Sequence, residues 1–178
     1  NIHEKSTEKK SEALSLIEEQ EKIKIDIFVM IQGDEPMIEP VMLDTAVRPM
    51  INDKDIKVVN LRSVIDSEVD HLDPNTIKVV CDLHGNALYF SRRPIPTIKD
   101  YLKPNLPLYK QVCVIPFTRD YLLKFNQLEP TPLEVFESVD MMRVLEHGDK
   151  VLMVDTDIKT QAVDTQADLE KVEKLLSL

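Results

Sequence analysis

The chain has 178 residues and a formal net charge of −10, from 32 acidic side chains against 22 lysines and arginines. That length is enough for one domain with a real core, and the acidic balance excludes the basic surface of a nucleic-acid-binding protein. The first residues are polar and no apolar run approaches the roughly 18 residues of a membrane helix, so we expect no signal peptide and no membrane span.

Helical and strand patterns alternate along the first part of the chain. In the first helix, Leu14 and either Leu16 or Ile17 face inward. The first strand is short, apolar and rich in β-branched residues, which is typical of a strand buried on both faces. The predicted elements are a helix over 11–21, a strand over 25–31, a helix over 39–51 and a strand over 56–61.

A hairpin and a proline-rich loop interrupt this alternation. Segments 75–80 and 87–90 flank Asp-Leu-His-Gly-Asn, in which glycine and asparagine tolerate the positive φ of a tight turn. Four prolines between residues 94 and 107 predict a loop that crosses the surface or covers a site. Residues 112–117 return to an apolar strand pattern.

Two helix starts in the last third of the chain carry capping signals. Residues 131–134 (Thr-Pro-Leu-Glu) form a capping box with proline at the first helical position, and Gly148 predicts where that helix ends. Residues 165–168 (Thr-Gln-Ala-Asp) open a C-terminal helix in a similar way, after a strand over 150–154. The whole order predicts a single α/β domain over 1–178, in three layers, with a mainly parallel mixed sheet and an inserted hairpin.

The two cysteines and four histidines point to no metal centre or disulfide framework. Cys81 and Cys113 lie in apolar runs without a CxxC pair, which favours buried free thiols in a reducing cytoplasm. The histidines lack the paired spacing of zinc sites. An acidic protein still binds a triphosphate when a divalent metal bridges the charges.

The sharpest candidate site lies where a predicted strand ends. Residues 32–36 (Gln-Gly-Asp-Glu-Pro) follow the first strand, at the edge of an open α/β sheet where ligands bind. Their oxygens suit Mg²⁺, although a simple strand-ending turn with solvated acids is an equal alternative. Asp164 precedes the C-terminal helix, where Thr165 is the better cap and leaves this carboxylate free. Asp34 and Asp164 can hold one metal only if they converge.

Arg92 and the helix after Thr131 supply further candidates. An arginine that ends a hairpin strand can bind a substrate carboxylate with its planar fork, although a surface arginine is the simpler interpretation. Glu137, Asp140 and Met141 share one helical face, which either binds hydroxyls or is merely solvated. The neighbouring stripe, expected in the core, comprises Val135, Val139, Met142 and Leu145.

In series, these segments resemble the 3-deoxy-manno-octulosonate cytidylyltransferase (CMP-Kdo synthetase) family from residue 3 to the C-terminus. The resemblance implies a nucleotide-diphospho-sugar transferase fold and a homodimer. It also implies transfer of CMP from CTP to the anomeric hydroxyl of an acidic 3-deoxy sugar, with release of pyrophosphate, in lipopolysaccharide biosynthesis. The matching segments are Gln32–Pro36, Pro74–Asn75, Lys78–Val80, Ala87–Arg92 with Pro94, Pro130–Glu134, Arg143–Leu145, Val163–Thr165 and Asp168–Glu170.

The same resemblance assigns roles to individual residues. It implies that two aspartates bind a catalytic Mg²⁺, which neutralises the phosphates and activates the sugar hydroxyl. The implied residues are Asp34 and Asp164 for catalysis and metal binding, Gln32, Arg92, Glu137 and Asp140 for the sugar, and Ser6, Thr7 and Lys9 for the nucleotide.

The chain departs from the family pattern in two respects. No loop of type Gly-x-x-x-Arg-x-Pro-Gly-Lys precedes the match, so we expect the domain to lack its N-terminal strand and triphosphate loop. The family's His-x-Gly-x-Tyr reads Gln111–Ile115 followed by Phe117, its Glu-Gln pair reads Asp140-Met141, and Lys9 replaces an arginine. The lost hydrogen-bonding groups predict that the sugar either is a related 3-deoxy-2-ulosonic acid in place of plain Kdo or is bound differently. A non-catalytic truncated member that acts as a binding module is the alternative.

Overall fold

Helices alternate with short strands in the computed structural model, which describes residues 13–98, 107–163 and 165–176. The first helix, α1, is described over residues 13–21. The remaining elements are β1 (Ile27–Ile31), α2 (Pro40–Asn52), β2 (Val59–Val64), α3 (Glu68–Leu72), β3 (Lys78–Cys81), β4 (Ala87–Ser91), β5 (Tyr109–Val112), β6 (Val114–Thr118), α4 (Arg119–Gln127), α5 (Pro132–Glu137), α6 (Met141–Glu146), β7 (Leu152–Asp155) and α7 (Gln166–Leu176).

The strands form a mixed sheet of order β4-β3-β5-β2-β7, beside the pair β1-β6. A bridge between Val58 and Phe117 joins the two groups. The predicted α/β class with a mixed sheet and an inserted hairpin is confirmed. The prediction of a mainly parallel sheet is wrong for the described strands, because β2–β7 is their one parallel pair.

The reversed direction of β5 and β6 explains the excess of antiparallel pairs. These strands follow each other across Cys113 and run against β1, β2 and β3. Strands β1, β2, β3 and β7 therefore share one direction, as expected for an α/β sheet, but a reversed segment lies between them. A short apolar run does not reveal its direction, so this feature was not predictable locally.

Successive side chains on the strands point to opposite faces of the sheet and contribute to two hydrophobic cores, one on each face. Met30 and Phe117 belong to the larger core, together with buried residues of α1, α4 and α6. Val29 and Val114 pack with Met42 of α2 in the smaller core. Phe117 and Met42 are fully buried, which stabilises the fold by about 1.5–3 kcal/mol each. Helices thus cover both faces, which confirms the three layers.

Two burial predictions near the start of the chain are wrong. Leu14 is fully buried, but Leu16 and Ile17 are 47% and 43% exposed. Strand β1 is only partly buried, and Ile31 at its end is 45% exposed. Among the described strands β1 pairs with β6 alone, so its apolar composition does not make it a central strand.

The helix predicted from Thr131 to Gly148 is two helices, α5 and α6. Ser138 adopts a left-handed conformation with φ 56° and ψ 49°, which ends α5. The capping box is present, since the Thr131 N–H donates to Glu134 Oε2 at 3.2 Å. Gly148, with φ 77°, ends α6 as predicted. The break removes the predicted face shared by Glu137, Asp140 and Met141, and it leaves Val135 71% exposed.

The hairpin and the C-terminal helix form where the sequence predicts them. Gly85 has φ 82° in the turn between β3 and β4, and the Asp82 carboxylate accepts the N–H groups of His84 and Asn86 at 2.8 Å. At the start of α7, Thr165 and Asp168 cap each other. Among the helices described here, none is both long and apolar enough to cross a membrane.

Candidate active site

A polar cavity of about 130 Å³ lies beyond the carboxyl end of β1. It brings together three of the predicted site residues, Gln32 and Asp34 from one motif and Arg92 from a distant strand end. Lys110 and Gln111 of β5 also line it. The cavity therefore collects an amide, carboxylates and cations at the sheet edge where α/β proteins bind ligands.

Asp34 and Glu35 supply this cavity with buried carboxylates. Asp34 Oδ1 and Glu35 Oε2 are buried and have no hydrogen-bond partner among the residues that the structure describes. Glu35 is only 8% exposed, and burial raises the pKa of its carboxyl group above the ordinary value. Buried carboxylate oxygens without partners are costly, so they indicate a site that a cation or a donor completes.

The donor set fits Mg²⁺, which prefers hard oxygen ligands and usually takes one or two carboxylates plus substrate phosphates. The described residues hold no group of three or more histidine, cysteine or acidic side chains that would bind a metal by itself. Asp164 lies outside the described residues. Its neighbour Val163, however, donates its N–H to the Asp34 carbonyl at 2.8 Å, so the chain directly before Asp164 lies beside Asp34.

Arg92 is held in place by backbone carbonyls. Its Nε donates to Glu137 O at 2.8 Å, Nη1 to Pro74 O at 3.0 Å and Nη2 to Ser138 O at 3.3 Å. These bonds use three of the five guanidinium N–H groups. One N–H on each terminal nitrogen remains, so the side chain is preorganised to bind an anionic group in the cavity.

Lys78 supports the part of the cavity wall that carries Arg92, through hydrogen bonds to backbone carbonyls. It is fully buried, and its Nζ donates to Asp73 O at 2.8 Å, Thr76 O at 2.6 Å and Arg92 O at 2.6 Å. Burial lowers the pKa of the Lys78 ammonium to about 8. In the sequence, Lys78 stands out only as part of a segment that matches the family pattern. Its place at the start of an apolar strand is the signal that indicates a buried lysine bonded to backbone carbonyls.

Glu137 and Asp140 do not line the cavity. The Glu137 carboxylate accepts the Tyr89 hydroxyl at 3.0 Å, the Ser91 hydroxyl at 3.2 Å and the Arg92 N–H at 2.9 Å. Glu137 thus supports the strand that carries Arg92. Asp140 precedes α6 and is partly exposed. Their contact with a sugar stays a prediction, and Ser6, Thr7 and Lys9 lie outside the described residues.

A larger, more open cavity of about 390 Å³ lies at the other end of β1. Three of the five cations that line it have acidic partners: Arg119 binds Glu18 at 2.7 Å, and Lys124 and Lys57 lie 2.6 and 4.0 Å from Asp149. We place the site at the smaller cavity, because it holds the unpartnered carboxylate oxygens and three predicted site residues.

Several curated proteins that are similar to the chain in sequence share one name. The cytidylyltransferase family model matches residues 2–171. The chain is 41% identical to the 3-deoxy-manno-octulosonate cytidylyltransferase of Geobacter metallireducens, over 98% of this chain and 70% of the relative. It is 39% identical to the enzyme of the same name from Geotalea uraniireducens, over 96% of this chain and 69% of the relative.

Solved structures lead to the same family. The structure of CMP:2-keto-3-deoxy-manno-octonic acid synthetase complexed with CTP aligns with a TM-score of 0.77 and 34% identity, over 91% of this chain and 66% of that one. The inositol-1-phosphate CTP transferase from T. maritima, at 16% identity and a TM-score of 0.52, shares the fold alone. The chain belongs to the 3-deoxy-manno-octulosonate cytidylyltransferase family.

Proposed function

We propose that the protein transfers CMP from CTP to the anomeric hydroxyl of 3-deoxy-manno-octulosonate, or of a related 3-deoxy-2-ulosonic acid, and releases pyrophosphate. The observation that carries the proposal is the cavity in which Gln32, Asp34 and Arg92 meet. Its two unpartnered carboxylate oxygens suit a metal nucleotide, and the fixed guanidinium suits an acidic sugar. The family relationship supports both substrates.

In this reaction the anomeric oxygen bonds to the α-phosphorus of CTP, the bond to pyrophosphate breaks, and the hydroxyl proton leaves to solvent. Arg92 orients the sugar carboxylate through its two remaining N–H groups, and Gln32 binds the sugar beside it. Lys110, which donates to Thr160 O at 3.0 Å, keeps further donors for the phosphates. Asp34 and Asp164 would hold Mg²⁺, which would neutralise the phosphates and lower the pKa of the attacking hydroxyl.

Replacing Asp34 by asparagine tests the proposal. The variant should lower CTP-dependent pyrophosphate release with 3-deoxy-manno-octulosonate by about 100-fold or more, because a charge that acts in the transition state is lost. Asp44→Asn, at an exposed position of α2, is the matched control and should keep wild-type activity. Equal activity of Asp34→Asn and wild type would contradict the assigned metal site. Binding of CTP without pyrophosphate release would favour the alternative, a non-catalytic binding module.

Further properties rest on the resemblance. Mg²⁺ dependence is tested by adding EDTA and restoring the metal, and a homodimer by sedimentation at several concentrations. A panel of 3-deoxy-2-ulosonic acids distinguishes plain Kdo from a related acid, which we favour because Gln111 stands where the family pattern has histidine. The cytoplasmic location and the role in lipopolysaccharide biosynthesis belong to the same proposal.

A further inference from the structure

Asn60 is a fully buried polar side chain directly behind the cavity wall. Its Nδ2 donates to the carbonyls of Leu61 at 2.9 Å and Val112 at 2.7 Å. Backbone carbonyls only accept hydrogen bonds, so the amide nitrogen, and not the oxygen, must face them. The opposite orientation would set an oxygen against two oxygens in a buried place, which is costly. The chemistry of its partners therefore fixes which way this amide points.

The orientation of Asn60 determines that of Gln111. Asn60 Oδ1 points to the Gln111 side chain at 2.6 Å, and an amide oxygen can only accept there. The Gln111 atom at this contact is therefore Nε2, the donor. Gln111 Oε1 has no partner among the described residues, and Gln111 lines the cavity. The free oxygen that this side chain offers to a ligand is thus an acceptor, while Nε2 keeps one N–H beyond its bond to Asn60.

We propose that Asn60 is a positioning residue that holds Gln111 as a hydrogen-bond acceptor, and that Gln111 thereby selects a sugar acid with a hydroxyl donor at that place. The inference rests on the proposed function, because it assigns the cavity to the sugar acid. A neutral amide keeps this polarity at any physiological pH. A site with a fixed acceptor rejects an analogue that lacks the matching donor, because its own oxygen is then left unpaired.

Singly modified sugar acids test the inference, with each hydroxyl replaced in turn by hydrogen or fluorine. For the wild type, modification of one hydroxyl should lower kcat/KM by about 10–100-fold, the loss expected for one buried hydrogen bond. In Gln111→Met, which keeps the length of the side chain, that penalty should fall to about 2-fold or less. The penalties at the other hydroxyls should not change. Gln127→Met, exposed at the end of α4, is the control.

Asn60→Ala separates positioning from direct contact. With its orienting partner gone, Gln111 is free to present nitrogen or oxygen, so the penalty for the same modified hydroxyl should shrink while Gln111 itself is retained. A purely structural role would lower activity towards all analogues equally. Urea denaturation shows whether this variant is folded; if it is not, Gln111→Met decides alone. An unchanged pattern of penalties in Gln111→Met would overturn the inference.

Calorimetric measurement of the binding of the same analogues distinguishes a failure of the inference from a failure of the proposed function. Selectivity in binding without turnover would contradict the transfer reaction and support the role of Gln111. Turnover with a selectivity that Gln111→Met does not alter would support the reaction and overturn the inference. Absence of both binding and turnover with every sugar acid would overturn both.

Discussion

Replacing Arg143 by methionine should destabilise the fold by about 3–5 kcal/mol, since it leaves the Glu134 carboxylate buried without its partner. The two side chains are 7% and 9% exposed. Arg143 Nε donates to Glu134 Oε2 at 2.6 Å, and Nη2 donates to the other oxygen. This pair joins α5 to α6 across the break at Ser138, so its loss affects the whole turn.

The magnitude follows from what each change leaves behind. Methionine fills much of the volume of the arginine stem, so the cavity term is small. The lost terms are two charge-assisted hydrogen bonds and the bond from Nη1 to Leu128 O at 3.1 Å. A charged hydrogen bond contributes about 1.5–3 kcal/mol. In the double variant Arg143→Met with Glu134→Leu no buried charge remains, and the cost should fall to about 1–3 kcal/mol. Part of this remaining cost comes from the hydrogen bond between the Thr131 N–H and Glu134, which the double variant also loses.

Urea denaturation followed by far-ultraviolet circular dichroism measures these free energies. A loss of 3–5 kcal/mol corresponds to a melting temperature lowered by about 6–20 °C for a domain of this size. Arg48→Met, at an exposed position of α2, is the control and should stay within about 0.5 kcal/mol of the wild type. A cost below about 1 kcal/mol for Arg143→Met, or a double variant as unstable as the sum of the two single variants, would refute the reasoning.

Three further predictions concern the core and its charges. Phe117→Ala should cost about 3–5 kcal/mol in urea denaturation, because the side chain is fully buried; a loss below 1 kcal/mol would contradict this packing. Lys78→Met should lower the melting temperature, since buried carbonyls left without a donor cost about 1–3 kcal/mol each; an unchanged temperature would argue against the three contacts. A hydrogen bond from Arg119 lowers the pKa of Glu18 to about 2 from 4.5, so the stability that this pair adds is present above pH 4.5 and is lost as the pH falls towards 2. The difference in stability between wild type and Glu18→Gln should shrink across that range, and a constant difference would count against the ion pair.

Features that depend on a few neighbouring residues follow from the amino-acid sequence alone. The capping box at Thr131, the turn at Gly85 and the end of α6 at Gly148 all follow from local backbone and hydrogen-bond preferences, and the structure has each of them. The order of elements was enough for the α/β class, because alternating strands and helices have few ways to pack. The motif Gln32–Pro36 was recognisable for the same reason, since its spacing is local.

How distant residues meet depends instead on the packing of the whole fold. Arg92 was predicted as a sugar ligand, but its bonds to Glu137 O and Pro74 O, and the polarity of Gln111, depend on partners 18 to 51 positions away. The break at Ser138 separates two short helices that a buried ion pair joins again, which the apolar periodicity did not show. Propensity and periodicity describe how a segment of the chain behaves in water. Burial, the direction of strands and the polarity of hydrogen bonds are determined by the residues that pack against each side chain.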